Sequence, residues 1–126
     1  MSSQISALAI DARNPRQVAE FWCAALGWQQ LGDEDGIITI GHQDGSWPTI
    51  DVAPVPEAKE GKNRLHLDLR ADGLTTRAEL TRLLDLGAQR VDVGQDADVP
   101  WVVLADPEGN EFCLLPRTVQ EARAAE

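Results

Sequence analysis

An α+β domain built from one βαβββ unit used twice is what this sequence predicts, and three observations carry the expectation. Two amphipathic helices stop at glycines, Gly27 and Gly87, set 60 residues apart. Each helix follows a short β-prone run and precedes three more such runs. A stretch rich in proline and charge, 54–63, has no apolar periodicity and separates the two copies.

The first copy spans about 5–56. Its opening strand is expected at Ile5 to Ile10. A helix follows: Asn14 is its cap, Pro15 takes the first helical position, and Val18, Phe21, Trp22, Ala25 and Leu26 make one apolar stripe before Gly27. Strands are then expected near 29–31, 37–40 and 49–55, with Asp35-Gly36 and Asp44-Gly45 as turns. The linker runs from about 57 to 63.

The second copy spans about 64–116. In Leu65-His-Leu-Asp-Leu-Arg70 strict alternation places three leucines on one face and His66, Asp68 and Arg70 on the other. The next helix reads from Thr76, with Thr76 and Glu79 as a capping box, Leu80, Leu83 and Leu84 as the stripe, and Gly87 as the stop. Strands near 89–93, 101–105 and 111–115 complete it, the last two joined by Asp106-Pro-Glu-Gly-Asn110. Residues 117–126 read as a short polar tail, and 1–126 as a single domain.

Composition narrows the function classes. The 126 residues hold 21 acidic against 11 basic side chains, a formal charge of −10, which opposes phosphate backbones and anionic membrane surfaces. No apolar run reaches the ~18 residues of a membrane span, and the first residues lack a basic stretch leading into an apolar one. A cytoplasmic protein with a small-molecule ligand, and with neither nucleic acid nor membrane as partner, is expected. Cys23 and Cys113 are too few for a disulfide scaffold and read as reduced thiols. Four Trp and no Tyr serve either as packing or as flat walls for a planar ligand, for which Trp47 and Trp101 are the candidates.

Glu111 opens the last strand of the second copy, and the offset of 60 places Asp51 in the matching position of the first. The counterpart of His66 falls on Ser6 or, with a slip of one residue, on Ala7. Asp68 and Arg70 share the face of His66 and pair with each other, or Arg70 meets an anionic group of a substrate.

The paired βαβββ module, the histidine in Lys62-Asn-Arg-Leu-His-Leu-Asp-Leu69, the Asp106-Pro-Glu-Gly-Asn-Glu-Phe112 hairpin and the helix ending Phe21-Trp-Cys-Ala-Ala-Leu-Gly27 together resemble the vicinal oxygen chelate superfamily. This is the glyoxalase, bleomycin-resistance and dioxygenase group, and the small glyoxalase-like branch is the most similar. The resemblance implies curved mixed sheets around one cup-shaped cleft, and a homodimer. It implies a divalent metal (Zn, Ni, Mn or Fe) held by His66, Glu111 and Asp51, with Ala53 one strand-face step away as the alternative to Asp51. It assigns His66 and Glu111 the catalytic role, in lyase or isomerase chemistry on a small oxygenated molecule. Against this enzyme stands a metal-free protein of the bleomycin-resistance type that sequesters an antibiotic-like compound between aromatic walls.

Overall fold

The computed structural model describes residues 1–91 and 100–125, and the chain divides into two compact units, Met1–Lys59 and Glu60–Glu126. The division falls inside the predicted linker. Each unit carries one four-stranded mixed sheet, and the two sheets share a plan.

In the first unit β1 (Ala7–Ala12) leads into α1 (Pro15–Leu26), and β2 (Gln29–Glu34), β3 (Ile37–Gly41) and β4 (Thr49–Pro54) follow. The strand order is β1-β4-β3-β2, with β1 parallel to β4 and the other pairs antiparallel. The β2–β3 hairpin turns on Asp35 and Gly36, both with positive φ (55° and 82°), as a two-residue turn matched to strand twist requires. Helix α1 starts where the Asn14 side chain accepts the Gln17 N–H at 3.3 Å and Pro15 needs no partner for an N–H. It stops at Gly27, whose φ of 69° lets its N–H return to the Cys23 carbonyl. The stripe Val18, Phe21, Trp22 and Ala25 is buried with Ile38, Ile40, Ile50 and Val52 of β3 and β4. Each large side chain hidden this way stabilises the unit by roughly 1.5–3 kcal/mol.

The second unit contains β5 (Leu67–Leu69), α2 (Thr76–Asp85), β6 (Gln89–Arg90), β7 (Val102–Ala105), β8 (Glu111–Leu114) and α3 (Val119–Ala124). Its order is β5-β8-β7-β6, with β5 parallel to β8. Leu83, Leu104, Phe112 and Leu114 are its most deeply buried large side chains.

Four expectations need correction. The strand after the linker is shorter than predicted, because Leu65 is 87% exposed and does not join Leu67 and Leu69 in cover. The cap of α2 is Thr75, whose hydroxyl accepts the Ala78 N–H at 3.1 Å. Thr76 and Glu79 form no box: the Thr76 hydroxyl donates to the Pro116 carbonyl at 2.9 Å, and Glu79 pairs with Arg82. The predicted polar tail contains α3, which has a true capping box of Thr118 and Glu121 and docks by side chain and backbone onto the β5–α2 loop. The expected strand at 89–93 is observed as Gln89–Arg90, and Asp92 and Val93 lie outside the described residues.

Strand register also corrects the repeat. Val55 N–H bonds the Ala12 carbonyl and Leu115 N–H bonds the Leu69 carbonyl, closing the two parallel ladders alike. Asp51 then corresponds to Glu111, as the offset of 60 requires, but His66 corresponds to Ala9 rather than Ser6 or Ala7. The chain from Leu69 to the cap Thr75 is longer than that from Ala12 to the cap Asn14, and the extra residues displace the alignment.

Candidate functional site

Parallel pairing in the second unit sets Asp68 opposite Cys113. Two residues earlier on each chain stand His66 and Glu111, so alternation gives all four side chains to one face of the sheet. Phe112 and Leu114 fill the other face and are buried. Four chemically active groups therefore share one face because the strands beneath them keep their apolar residues on the opposite one.

His66 and Asp68, spaced i and i+2, meet directly: Nδ1 of the ring lies 3.0 Å from Oδ1 of the carboxylate, with both side chains close to half exposed. Asp68 thus pairs with His66 and not with Arg70. Arg70 instead donates from Nη1 to the Arg117 carbonyl at 3.0 Å, in the group of bonds that docks α3. Cys113 is buried and hydrogen-bonds Asp68; burial first, then the Asp68 charge, push its thiol above the ordinary range, while Lys62 pulls it down. One ligand atom from each of His66, Asp68 and Cys113 lies within 4.8 Å of the others.

Glu111 is positioned from below and from the side. Asp106, buried in the hairpin before it, accepts the N–H groups of Glu108 and Asn110 at 2.9 and 3.0 Å and clasps the Asn110 side chain as well. That clasp sets where β8 begins. The Glu111 carboxylate accepts the Asn63 N–H at 3.3 Å, and the Asn63 side chain donates to the Glu111 carbonyl at 3.2 Å. Asn63 and Asp106 carry no signal as site residues in the sequence. Asp68 did carry one, its i, i+2 spacing from His66 on a strand.

The first unit holds Asp51, half-buried, whose Oδ1 accepts the Thr39 hydroxyl at 2.7 Å across the β3–β4 pair. Its neighbour on β1 is Ala9, so the first-strand place that His66 fills in the second unit offers no donor here. Of the places the resemblance implied for a divalent ion, His66, Glu111 and Asp51 carry donor atoms and the fourth is the methyl group of Ala9.

Trp47 and Trp101, the expected walls for a planar ligand, are exposed, at 61% and 38%. The first unit also has a cavity of about 350 Å³ between α1 and β2–β3, with Trp28, Ile38 and Ile40 as apolar walls and Arg16, Glu20 and Cys23 among its rim. Trp28 rests against His42, their ring centroids 5.2 Å apart, which ties the loop that carries His42 to this wall. Burial, and then the Glu20 charge, raise the Cys23 thiol. No described helix is long and apolar enough to cross a membrane.

Comparison with known proteins agrees with this architecture. No curated protein matches the chain. Among solved structures, a glyoxalase/bleomycin resistance protein/dioxygenase family enzyme from Burkholderia phytofirmans is similar with a TM-score of 0.65 and 17% identity, over 89% of this chain and 97% of that one. A fosfomycin resistance protein, FosX, from Listeria monocytogenes, complexed with Mn(II) and a dihydroxypropylphosphonic acid, gives a TM-score of 0.69 at 11% identity over 96% and 95%. TnmS3, an antibiotic binding protein from a Streptomyces species, gives 0.56 at 15% identity over 90% and 95%. At these identities the likeness shows the fold. The glyoxalase-like domain pattern matches residues 7–115, nearly the whole of both βαβββ units, and the chain therefore belongs to the glyoxalase-like domain family.

Proposed function

We propose that this chain is a glyoxalase-like enzyme that moves a proton on a small oxygenated organic molecule, in lyase or isomerase chemistry, with His66 and Glu111 as its catalytic residues. The observation that supports it is the His66–Asp68 pair at 3.0 Å. With Nδ1–H donating to the carboxylate, the neutral ring keeps its lone pair on Nε2, the atom facing away from Asp68, and Nε2 is the base. As the ring takes the proton, the Asp68 charge stabilises the imidazolium. Glu111, held by Asn63, is the second carboxylate on the same face and receives or returns the other proton of the cycle. The mixture of enzymes and an antibiotic-binding protein among its structural relatives supports a small organic ligand of some kind.

The test is proton exchange. In deuterated water, a panel of small hydroxy-carbonyl compounds is followed by proton NMR for loss of the C–H signal beside the carbonyl. His66→Gln and Glu111→Gln are each expected to slow exchange by about 10²-fold or more, the range of a lost general acid or base. Exchange that persists at the full rate in His66→Gln overturns the assignment.

A second reading, sequestration without reaction, is supported by the cavity beside Trp28, whose size falls within the roughly 300–1,000 Å³ of small-molecule pockets. Under it, quenching of Trp fluorescence by planar compounds survives His66→Gln and is lost in Trp28→Ala, Trp47→Ala or Trp101→Ala.

A further inference from the structure

We infer that His66, Asp68 and Cys113 form a binding site for a borderline-soft divalent cation of the zinc type, distinct from the donor set that the family resemblance implied. Among the described residues they are the one set of three or more His, Cys, Asp or Glu side chains whose ligand atoms gather this closely, all within 4.8 Å. The gathering follows from register: Asp68 and Cys113 are opposite one another in the parallel β5–β8 pair, and His66 stands two residues before Asp68 on the same face.

The chemistry of the set selects the ion. A nitrogen, a carboxylate oxygen and a sulfur form a mixed set that suits zinc, whereas magnesium, calcium and manganese prefer oxygen alone. Three protein ligands with a fourth place open is the pattern of zinc sites that keep a bound water. Metal–ligand distances of ~2.0–2.3 Å require the present atoms to draw together slightly. His66 and Asp68 are each close to half exposed and have the freedom to do so. Cys113 is anchored in the buried strand and supplies the fixed point. On binding, the Cys113 thiol releases its proton to water and its sulfur bonds the ion; the His66 ring proton passes through solvent from Nδ1 to Nε2, which frees the Nδ1 lone pair, and the direct His66–Asp68 hydrogen bond is replaced by one bond from each side chain to the metal. Glu111 and Asp51 take no part. The inference does not rest on the proton-transfer reading. An ion held here withdraws His66 and Asp68 from that chemistry, so the loaded chain is a resting form.

The test uses the full chain, stripped with a chelator and titrated with Co(II), which reports its ligands by colour. The expected result is a thiolate-to-cobalt charge-transfer band with the visible bands of a four-coordinate ion, saturating at a single ion per chain and displaced by Zn(II). Cys113→Ser should remove the charge-transfer band, and Asp68→Asn or His66→Gln should weaken binding by more than the about 10- to 100-fold that an outer-shell partner is worth. Cys23→Ser and Glu111→Gln should leave the spectrum intact. Because Cys113 is buried, circular dichroism checks that its variant is folded; the exposed Asp68→Asn substitution tests the same site without touching the core. A spectrum without the charge-transfer band, a band that survives Cys113→Ser and disappears in Cys23→Ser, full affinity in Asp68→Asn, or binding abolished by Glu111→Gln each overturns the site. Glu111→Gln also separates the two proposals: loss of proton exchange with cobalt binding retained supports both, while retained exchange with retained cobalt binding removes the reaction and keeps the metal site.

Discussion

Arg82 is the residue that makes a buried carboxylate tolerable in α2. Glu79 is 5% exposed, and its two oxygens accept from Arg82 Nε and Nη2 at 2.6 and 2.9 Å. The guanidinium is partly exposed, so the pair adds little beyond what solvation already supplies to Arg82; the larger consequence is the state of Glu79 without it. Arg82→Ala leaves a buried acceptor unsatisfied and is expected to destabilise the chain by about 1–3 kcal/mol, read as a lower urea midpoint. Glu79→Gln in the same background should recover part of that loss, since it removes the buried charge. Cys113 couples stability to pH. Its folded thiol is held above the ordinary range by burial and by Asp68. The thiol of the unfolded chain therefore ionises first as pH rises, and stability that is intact below the ordinary thiol range declines above it. Urea midpoints measured from neutral to alkaline pH should show the decline, and Cys113→Ser should reduce it.

At the scale of elements, α3 acts as a clamp. Val119 N–H bonds the Ala71 carbonyl at 2.8 Å, Gly73 N–H bonds the Gln120 side chain at 3.1 Å, and Gln120 returns a bond to Asp72 at 2.7 Å. The helix itself depends on its capping box, in which Thr118 accepts from Glu121 N–H at 3.1 Å and the Glu121 carboxylate accepts from Thr118 N–H at 2.9 Å. That second bond holds the Glu121 carboxyl below its usual range. The box is therefore intact above the ordinary carboxylate range and is lost as pH falls through the depressed value. Thr118→Ala is expected to cost about 1 kcal/mol of helix stability and to speed amide exchange at Val119 and Gly73. The box was legible in the sequence as Thr118-Val-Gln-Glu121, yet the segment reads as a tail because a single helical turn or two has no stripe to announce it. Helix α2 failed in the other direction: Thr76 and Glu79 have the spacing of a box, but Thr75 beside them caps equally well. The choice is made by the Pro116 carbonyl that takes the Thr76 hydroxyl, a partner forty residues away in the chain.

For the molecule as a whole, the two-unit plan was legible because each unit repeats a capped amphipathic helix at a fixed spacing, and caps and stripes are local chemistry. The face shared by His66 and Asp68 was legible from alternation alone, whereas Glu111 joins it only through the β5–β8 register. Its supporting partners were not: Asn63 reaches Glu111 from the linker and Asp106 acts through a folded hairpin, contacts that no periodicity encodes. Nor was Ala9, which only strand register identifies as the counterpart of His66. The same register bears on whether the units are independent. In the second unit β5 has three residues, β6 two, and β7 and β8 four each. In the first, β1, β2 and β4 have six residues and β3 five, and α1 lays a full apolar stripe against them. A sheet of such short strands in a unit of this length is marginal by itself, since a ~60-residue chain buries only about 60% of its unfolded surface. The fragment 60–126 expressed alone is therefore expected to show no cooperative melting transition, while the full chain melts in one transition monitored by both Trp fluorescence and circular dichroism. A fragment 60–126 that melts cooperatively at the midpoint of the full chain would make the second unit a domain in its own right and end the single-domain reading.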